Sequence, residues 1–159
     1  MKDIVVHLPL PAYLRAWLTH TLGDPVRFPA RSYENLLLHR LLTRRPPLAP
    51  IEEPRQDTAA LVIPDNAVKR PEYYNYLGRR GRAEMTQAVE RLFRLHLWSD
   101  CSALLGASGE LNRGIDEWCR TYGIGLDARE AVRQKFYRMR RDYRRYGIIL
   151  GKKYAKKLP

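Results

Sequence analysis

Residues 136–147 read FYRMRRDYRRYG, with arginine at five of twelve positions, an aromatic ring at four and a single acid, Asp142. A guanidinium is planar, permanently charged and carries five N–H donors, so a row of them suits multidentate contact with phosphates or base edges. The rest of the chain adds no covalent chemistry to this. No glycine-rich phosphate loop follows a strand, and no Cys-x-x-Cys or His-x-x-x-His spacing suggests zinc. His96 and Cys101, five apart, are the nearest pair. His96 lies on an apolar helical stripe, where a satisfied core histidine is the commoner outcome. Acids are scattered, mostly beside bases, which gives no two-metal cluster. Tyr154 is late in the chain but lacks the arginine and histidine signature a tyrosine recombinase needs. The expectation is a binding protein and not an enzyme, with no metal and no cofactor.

Charge sharpens that expectation. The 159 residues carry a net charge of +12, and the isoelectric point is about 10.0. Residues 128–159 hold twelve Lys and Arg against two acids, Glu130 and Asp142. That segment therefore accounts for +10 of the +12, leaving +2 for residues 1–127. A general solubility charge has no reason to concentrate this way, whereas a polyanion-binding surface does.

The element that must hold these arginines is a helix opening at Asp127. Asp127 and Glu130 are spaced for a variant of the capping box, in which Glu130 reaches back. Val132, Phe136, Met139, Tyr143 and Tyr146 recur at helical spacing and face inward, so most of the aromatic content is core. At 100° per residue, Gln134, Arg138, Arg141 and Arg145 fall on the opposite face, with Arg133, Tyr137, Arg140 and Arg144 to one side. A preceding helix over 110–122 carries the stripe Leu111, Ile115, Trp118, Cys119 and Tyr122. Gly123 then allows a left-handed turn, and Ile124 and Leu126 are placed to plug that turn into the core.

Upstream, Met85, Val89, Leu92 and His96 predict a helix from Arg82 onward, flanked by Ala88 and Phe93. WSDCSALLGASG predicts a short helix from Ser99 to Gly106. Residues 1–64 read as a small mixed module. KDIVVHL, PVRFP and AALVIP are three strands. PAYLRAWLTHTLG is a helix between a proline and a glycine, and YENLLLHRLLTRR is a second helix, capped by Ser32. Residues 65–81 form a connector whose Tyr73, Tyr74 and Tyr76 either stack on bases or pin it to the body. The predicted fold is α+β. A three-stranded N-terminal module with two helices (1–64) and the connector (65–81) precede an all-α, helix-turn-helix-like bundle with a basic tail (82–159).

The two helices joined by GIGL, with Trp118, Cys119, Gly123, Ile124, Val132 and Phe136 at the packing positions, resemble helix-turn-helix DNA-binding domains. The string YNYLG…LW…DEW…YGI is also faintly similar to uncharacterised prophage and mobile-element proteins. The first resemblance implies that the last helix enters the major groove of duplex DNA. Arg129, Arg133, Gln134 and Tyr137, with Glu130 beside them, would then reach base edges. Arg138, Arg140, Arg141, Arg144 and Arg145 would hold phosphates, and Lys152, Lys153, Lys156 and Lys157 would form an arm along the backbone or into a minor groove. It further implies a regulator of bacterial or phage type, with a homodimer through the N-terminal module as its means of gaining affinity.

The alternatives are an RNA-binding protein and an adaptor whose basic helix meets an acidic protein surface. A membrane-surface helix fits less well, because the apolar face lacks a long Leu/Trp stripe. No apolar run approaches a membrane span. MKDIVVHLPLP is too short in its apolar run for a signal peptide and has an acid at position three. Cys101 and Cys119 show no framework spacing, so the expected compartment is the cytoplasm.

Overall fold

The computed structural model describes residues 2–51, 53–105 and 110–145. In chain order the elements are β1 (Val5–Pro9), α1 (Ala12–Leu22), α2 (Tyr33–Leu41), β2 (Thr58–Val62), α3 (Arg79–Cys101), a 3-10 turn (Ser102–Leu104), α4 (Leu111–Thr121) and α5 (Leu126–Arg145). The chain forms two compact units that divide between Arg91 and Leu92.

In the first unit β1 and β2 pair antiparallel, from Val5 opposite Val62 to Pro9 opposite Thr58. Val6 and Leu8 of β1 and Ala59 and Leu61 of β2 are buried, as a period of two requires of a sheet covered on one face. The three-stranded module predicted from sequence does not form. PVRFP contributes one parallel bridge, Val26 to Leu61. There the Val26 N–H donates to the Ala60 carbonyl, and the Val62 N–H donates to the Val26 carbonyl, both at 2.8 Å. Pro25 and Pro29 bracket this bridge, and proline holds φ at about −65°, away from the roughly −120° of a parallel strand, so the segment leaves β2 after one pair. Val26 and Phe28 still bury their side chains. Among the described residues the fold is mixed α+β and mostly helical, with two strands and five α-helices.

Helix boundaries follow local chemistry at their starts more closely than at their ends. α1 begins after Pro11, ends at Gly23 and buries Leu14, Trp17 and Leu18. Ser32 caps α2 by accepting from the Asn35 N–H at 3.2 Å. α2 stops at Leu41, four residues short of the predicted Arg45, because Thr43 pairs with Tyr76 in an antiparallel bridge. Lys69 then caps the helix end. Its ammonium donates to the carbonyls of His39, Arg40 and Leu42 at 3.0, 3.2 and 3.1 Å, acceptors that a helix terminus leaves without partners.

α3 starts at Arg79 rather than Arg82 and runs 23 residues, through Cys101. Gly81, Met85, Ala88, Val89, Phe93, Leu97 and Cys101 are its buried positions, while Leu92 and His96 are half-buried. The separate helix expected over 99–106 is absent. Ser99 and Asp100 prolong α3, a single 3-10 turn follows, and Gly106 lies outside the described residues.

Candidate nucleic-acid interface

The second unit places the basic helix by a local device. Tyr122 ends α4, and Gly123 takes the left-handed conformation at φ 70°. The Gly123 N–H reaches the Arg120 carbonyl at 3.2 Å, and the Ile124 N–H reaches the Cys119 carbonyl at 2.8 Å. These are the two bonds of a Schellman ending, and they satisfy carbonyls the helix end would otherwise leave open. Ile124 is buried at 1% exposure, as the motif's hydrophobic contact requires. Leu126, the second residue expected to plug the turn, is 79% exposed. α5 already begins at Leu126, so this side chain projects from the helix start instead of closing the turn.

The packed side of α5 is Val132, Phe136 and Met139. Trp98 of α3 stacks on Phe136 at 4.9 Å and 15°, and meets Tyr143 edge-on at 5.0 Å. Trp118 of α4 is buried and donates from Nε1 to Asp100 Oδ2 at 2.8 Å. His96 lies 2.9 Å from the same Asp100 oxygen and 3.3 Å from the Tyr122 hydroxyl. That histidine is a partnered structural group on a half-buried face. Apart from the i,i+4 spacing of His96 and Asp100, nothing in the sequence singles out Trp98 and Asp100, because Phe136 and Trp118 lie 18 or more positions from them.

Three of the four residues expected to read bases are held by other side chains of the same unit. Arg133 is only 26% exposed; it pairs with Asp116 of α4 at 3.6 Å and with Glu130 one turn back. The Gln134 amide donates to Glu130 Oε1 at 2.9 Å. The Tyr137 hydroxyl donates to Asn112 Oδ1 of α4. Arg129 is half-buried. Its Nε, the Arg133 Nε and Asp116 Oδ1 are buried without a hydrogen-bond partner among the described residues. Glu130 does not reach back as a capping box. It turns forward to Gln134 and Arg133, and these two hold its carboxyl below the usual carboxylate value. Behind this cluster, burial pushes the Cys119 thiol up to about 11, while Arg129 and Arg133 pull it the other way and Asp116 adds to the rise.

The five arginines expected to hold phosphates are placed differently. Arg138, Arg141, Arg144 and Arg145 are exposed and Arg140 is half-buried. Arg141 is 75% exposed and has Asp142 at 3.9 Å, a loose surface pair. Arg138, Arg141 and Arg145 share one face by helical spacing. Lys152, Lys153, Lys156, Lys157 and Tyr146 lie outside the described residues.

Among the described residues no group of three His, Cys, Asp or Glu is placed to hold a metal ion, and no helix is long and apolar enough to cross a membrane. Comparison of the chain with protein-family models, curated proteins and solved structures finds no match.

Proposed function

We propose that this protein binds duplex DNA through the second half of α5, as a non-enzymatic cytoplasmic regulator of bacterial or phage type. The observation that carries this reading is the exposed row Arg138, Arg141, Arg144 and Arg145 on a helix whose other face is fully packed. Like charges stacked at helical spacing destabilise a helix, and a polyanion relieves that cost. The α4–turn–α5 arrangement and its Schellman turn support the same reading, through their resemblance to helix-turn-helix domains.

Backbone contact is the larger part of the interaction. Asp127 and Glu130 are exposed on the first turns of α5, where a groove-entering helix meets the DNA. Base reading by Arg133 or Gln134 requires Glu130 to release them first. This favours a protein that grips phosphates and discriminates sequence weakly. Structured RNA is the second reading, because a phosphate grip alone does not distinguish the two polymers. A homodimer through the first unit belongs to the proposal. Tyr33 and Leu36, three apart on α2, are 55% and 60% exposed, and analytical ultracentrifugation tests the association.

The test of DNA binding is a titration of the full chain with duplex DNA, structured RNA and single strands across roughly 50 to 300 mM salt, a range over which screening changes strongly. With about six phosphate contacts, log K falls against log salt with a slope of about −5. No binding at low salt, or a slope near zero, refutes the proposal. Structured RNA bound more tightly than any duplex selects the second reading.

A further inference from the structure

The connector tyrosines raise a question the DNA interface does not absorb. Tyr76 is accounted for by its backbone bridge to Thr43, and Lys69 already ties the connector to the end of α2. Neither attachment uses the Tyr73 ring, which is 56% exposed. Yet cations gather around it and its neighbour. The Arg44 guanidinium lies 5.9 Å from the Tyr73 ring centre and 5.1 Å from that of Tyr74. Arg70 lies 6.0 Å from Tyr73, and Lys69 lies 5.9 Å from Tyr74. The hydrogen bond between Arg44 and Tyr74 is the chief reason that Arg44 becomes more basic and the Tyr74 hydroxyl more acidic.

This cluster borders an open cleft of about 630 Å³, lined by Arg44, Arg45 and Tyr73 together with the apolar side chains of Ile4 and Ile51. The volume falls within the roughly 300–1,000 Å³ of small-ligand sites. Glu72 also lines the cleft, but it is paired with Arg70 at 3.5 Å. Ile51 is 81% exposed, so an apolar wall and an aromatic ring stand in water beside two guanidinium groups. Folding uses part of that arrangement, since Arg44 bonds to Tyr74 and Arg45 donates to the Pro50 carbonyl at 3.4 Å, but it leaves the Ile51 side chain and much of Tyr73 in water. A ligand with a flat ring and an anionic group gains from all of it: rings and guanidinium planes stack on nucleobases, and arginines bind phosphate with paired N–H donors. An acidic peptide would use the charges and leave the rings unmatched.

We propose that this cleft in the first unit binds a nucleoside phosphate, its base against Tyr73 and its phosphate on Arg44 and Arg45. The ligand is either a free nucleotide or an unpaired nucleotide of a strand. The site stands on residues separate from α5, so either proposal can fail without the other.

The experiment uses the full chain and four probes: inorganic phosphate, AMP, a six-nucleotide single strand carrying 5-iodouracil, and a duplex. Binding of AMP identifies a free nucleotide as a sufficient ligand, and binding of the hexanucleotide without AMP identifies the strand. In either case Tyr73→Ala and Arg44→Ala weaken the nucleotide by at least about fivefold, Tyr73→Phe retains it, and irradiation links the iodouracil to a peptide containing Tyr73. Both alanine changes are at exposed positions, and circular dichroism checks that the variants fold. The proposal is overturned if neither AMP nor the hexanucleotide binds. It is equally overturned if Tyr73→Ala binds like the parent, if phosphate competes as well as AMP, or if the cross-links fall only on α5. Duplex affinity is read in parallel on the Arg141→Ala/Arg145→Ala variant, which reports on α5 alone.

Discussion

The two halves of α5 look alike in sequence and are used differently. In the first half, Arg133 pairs with Asp116 and Tyr137 donates to Asn112, tying α5 to α4, while Gln134 donates to Glu130 of its own helix. In the second half, Arg138, Arg141, Arg144 and Arg145 meet solvent. A basic side chain therefore contributes to an interface only when no acid of the same fold has claimed it. Desolvation sets the rule: a half-buried guanidinium costs free energy unless it is paired, whereas an exposed one keeps its water and can exchange it for phosphate.

The contrast depends on the packed face that both halves share, and removing that face has the largest effect. Phe136 is fully buried beneath Trp98. Phe136→Ala should cost about 3–5 kcal/mol in denaturant unfolding and abolish DNA binding with it. A variant that melts like the parent would show that the two-helix packing, and hence both halves of the comparison, is misassigned.

A closed first half also shields Cys119. Burial raises its thiol from 9.0 to about 11, a roughly hundredfold loss of thiolate at neutral pH. Cys101, raised to about 12 by burial, is quieter still. Native protein at pH 8 should resist alkylation by iodoacetamide until denaturant is added, as read by mass spectrometry. Rapid labelling of Cys119 in native protein would mean that the first half of α5 opens from α4, releasing Arg133 and its neighbours for DNA.

The second half is tested by charge removal. Arg141→Ala with Arg145→Ala should flatten the salt slope of duplex binding by about two units, close to 0.9 for each phosphate that is no longer neutralised. Thermal stability should change little, since both side chains are exposed. An unchanged slope would move the interface away from this half. By contrast, Gln134→Ala and Arg133→Ala should leave affinity for random duplexes nearly intact, and a selective loss on one enriched sequence would show that the first half does read bases.

The smallest effect belongs to Glu130. Its folded carboxyl has a lowered pKa, so its contribution to stability is complete above the unfolded value of 4.5 and is lost as pH falls through the lower folded value. Stability of the parent and Glu130→Gln should converge in that acidic window and differ slightly at pH 7. The same variant, relieved of one acid beside Arg133 and Gln134, should bind duplex DNA more tightly at low salt. Weaker binding would assign Glu130 a direct contact, such as acceptance from a cytosine amino group.

What the sequence determined by itself is everything set within a turn or two of chain. The proline and glycine limits of α1, the Ser32 cap, the left-handed Gly123 and the inward stripe Val132, Phe136 and Met139 all follow from neighbours three or four positions away. The concentration of charge after Ala128 is likewise a property of composition. Tertiary structure decided the rest. PVRFP has strand-forming residues, but two prolines leave it one bridge on Leu61, 35 positions on. α2 ends early because Tyr76 and Lys69, far downstream, take its last backbone groups. Leu126 has the composition of a core residue but stands in solvent, because the Schellman turn sends Ile124 inward and α5 opens two residues later. That Arg133 is held while Arg138, Arg141, Arg144 and Arg145 stay exposed reflects Asp116, on the helix before. Periodicity reports which face of a helix is buried. It carries no information about which distant acid arrives opposite a given base, because that depends on how two helices cross.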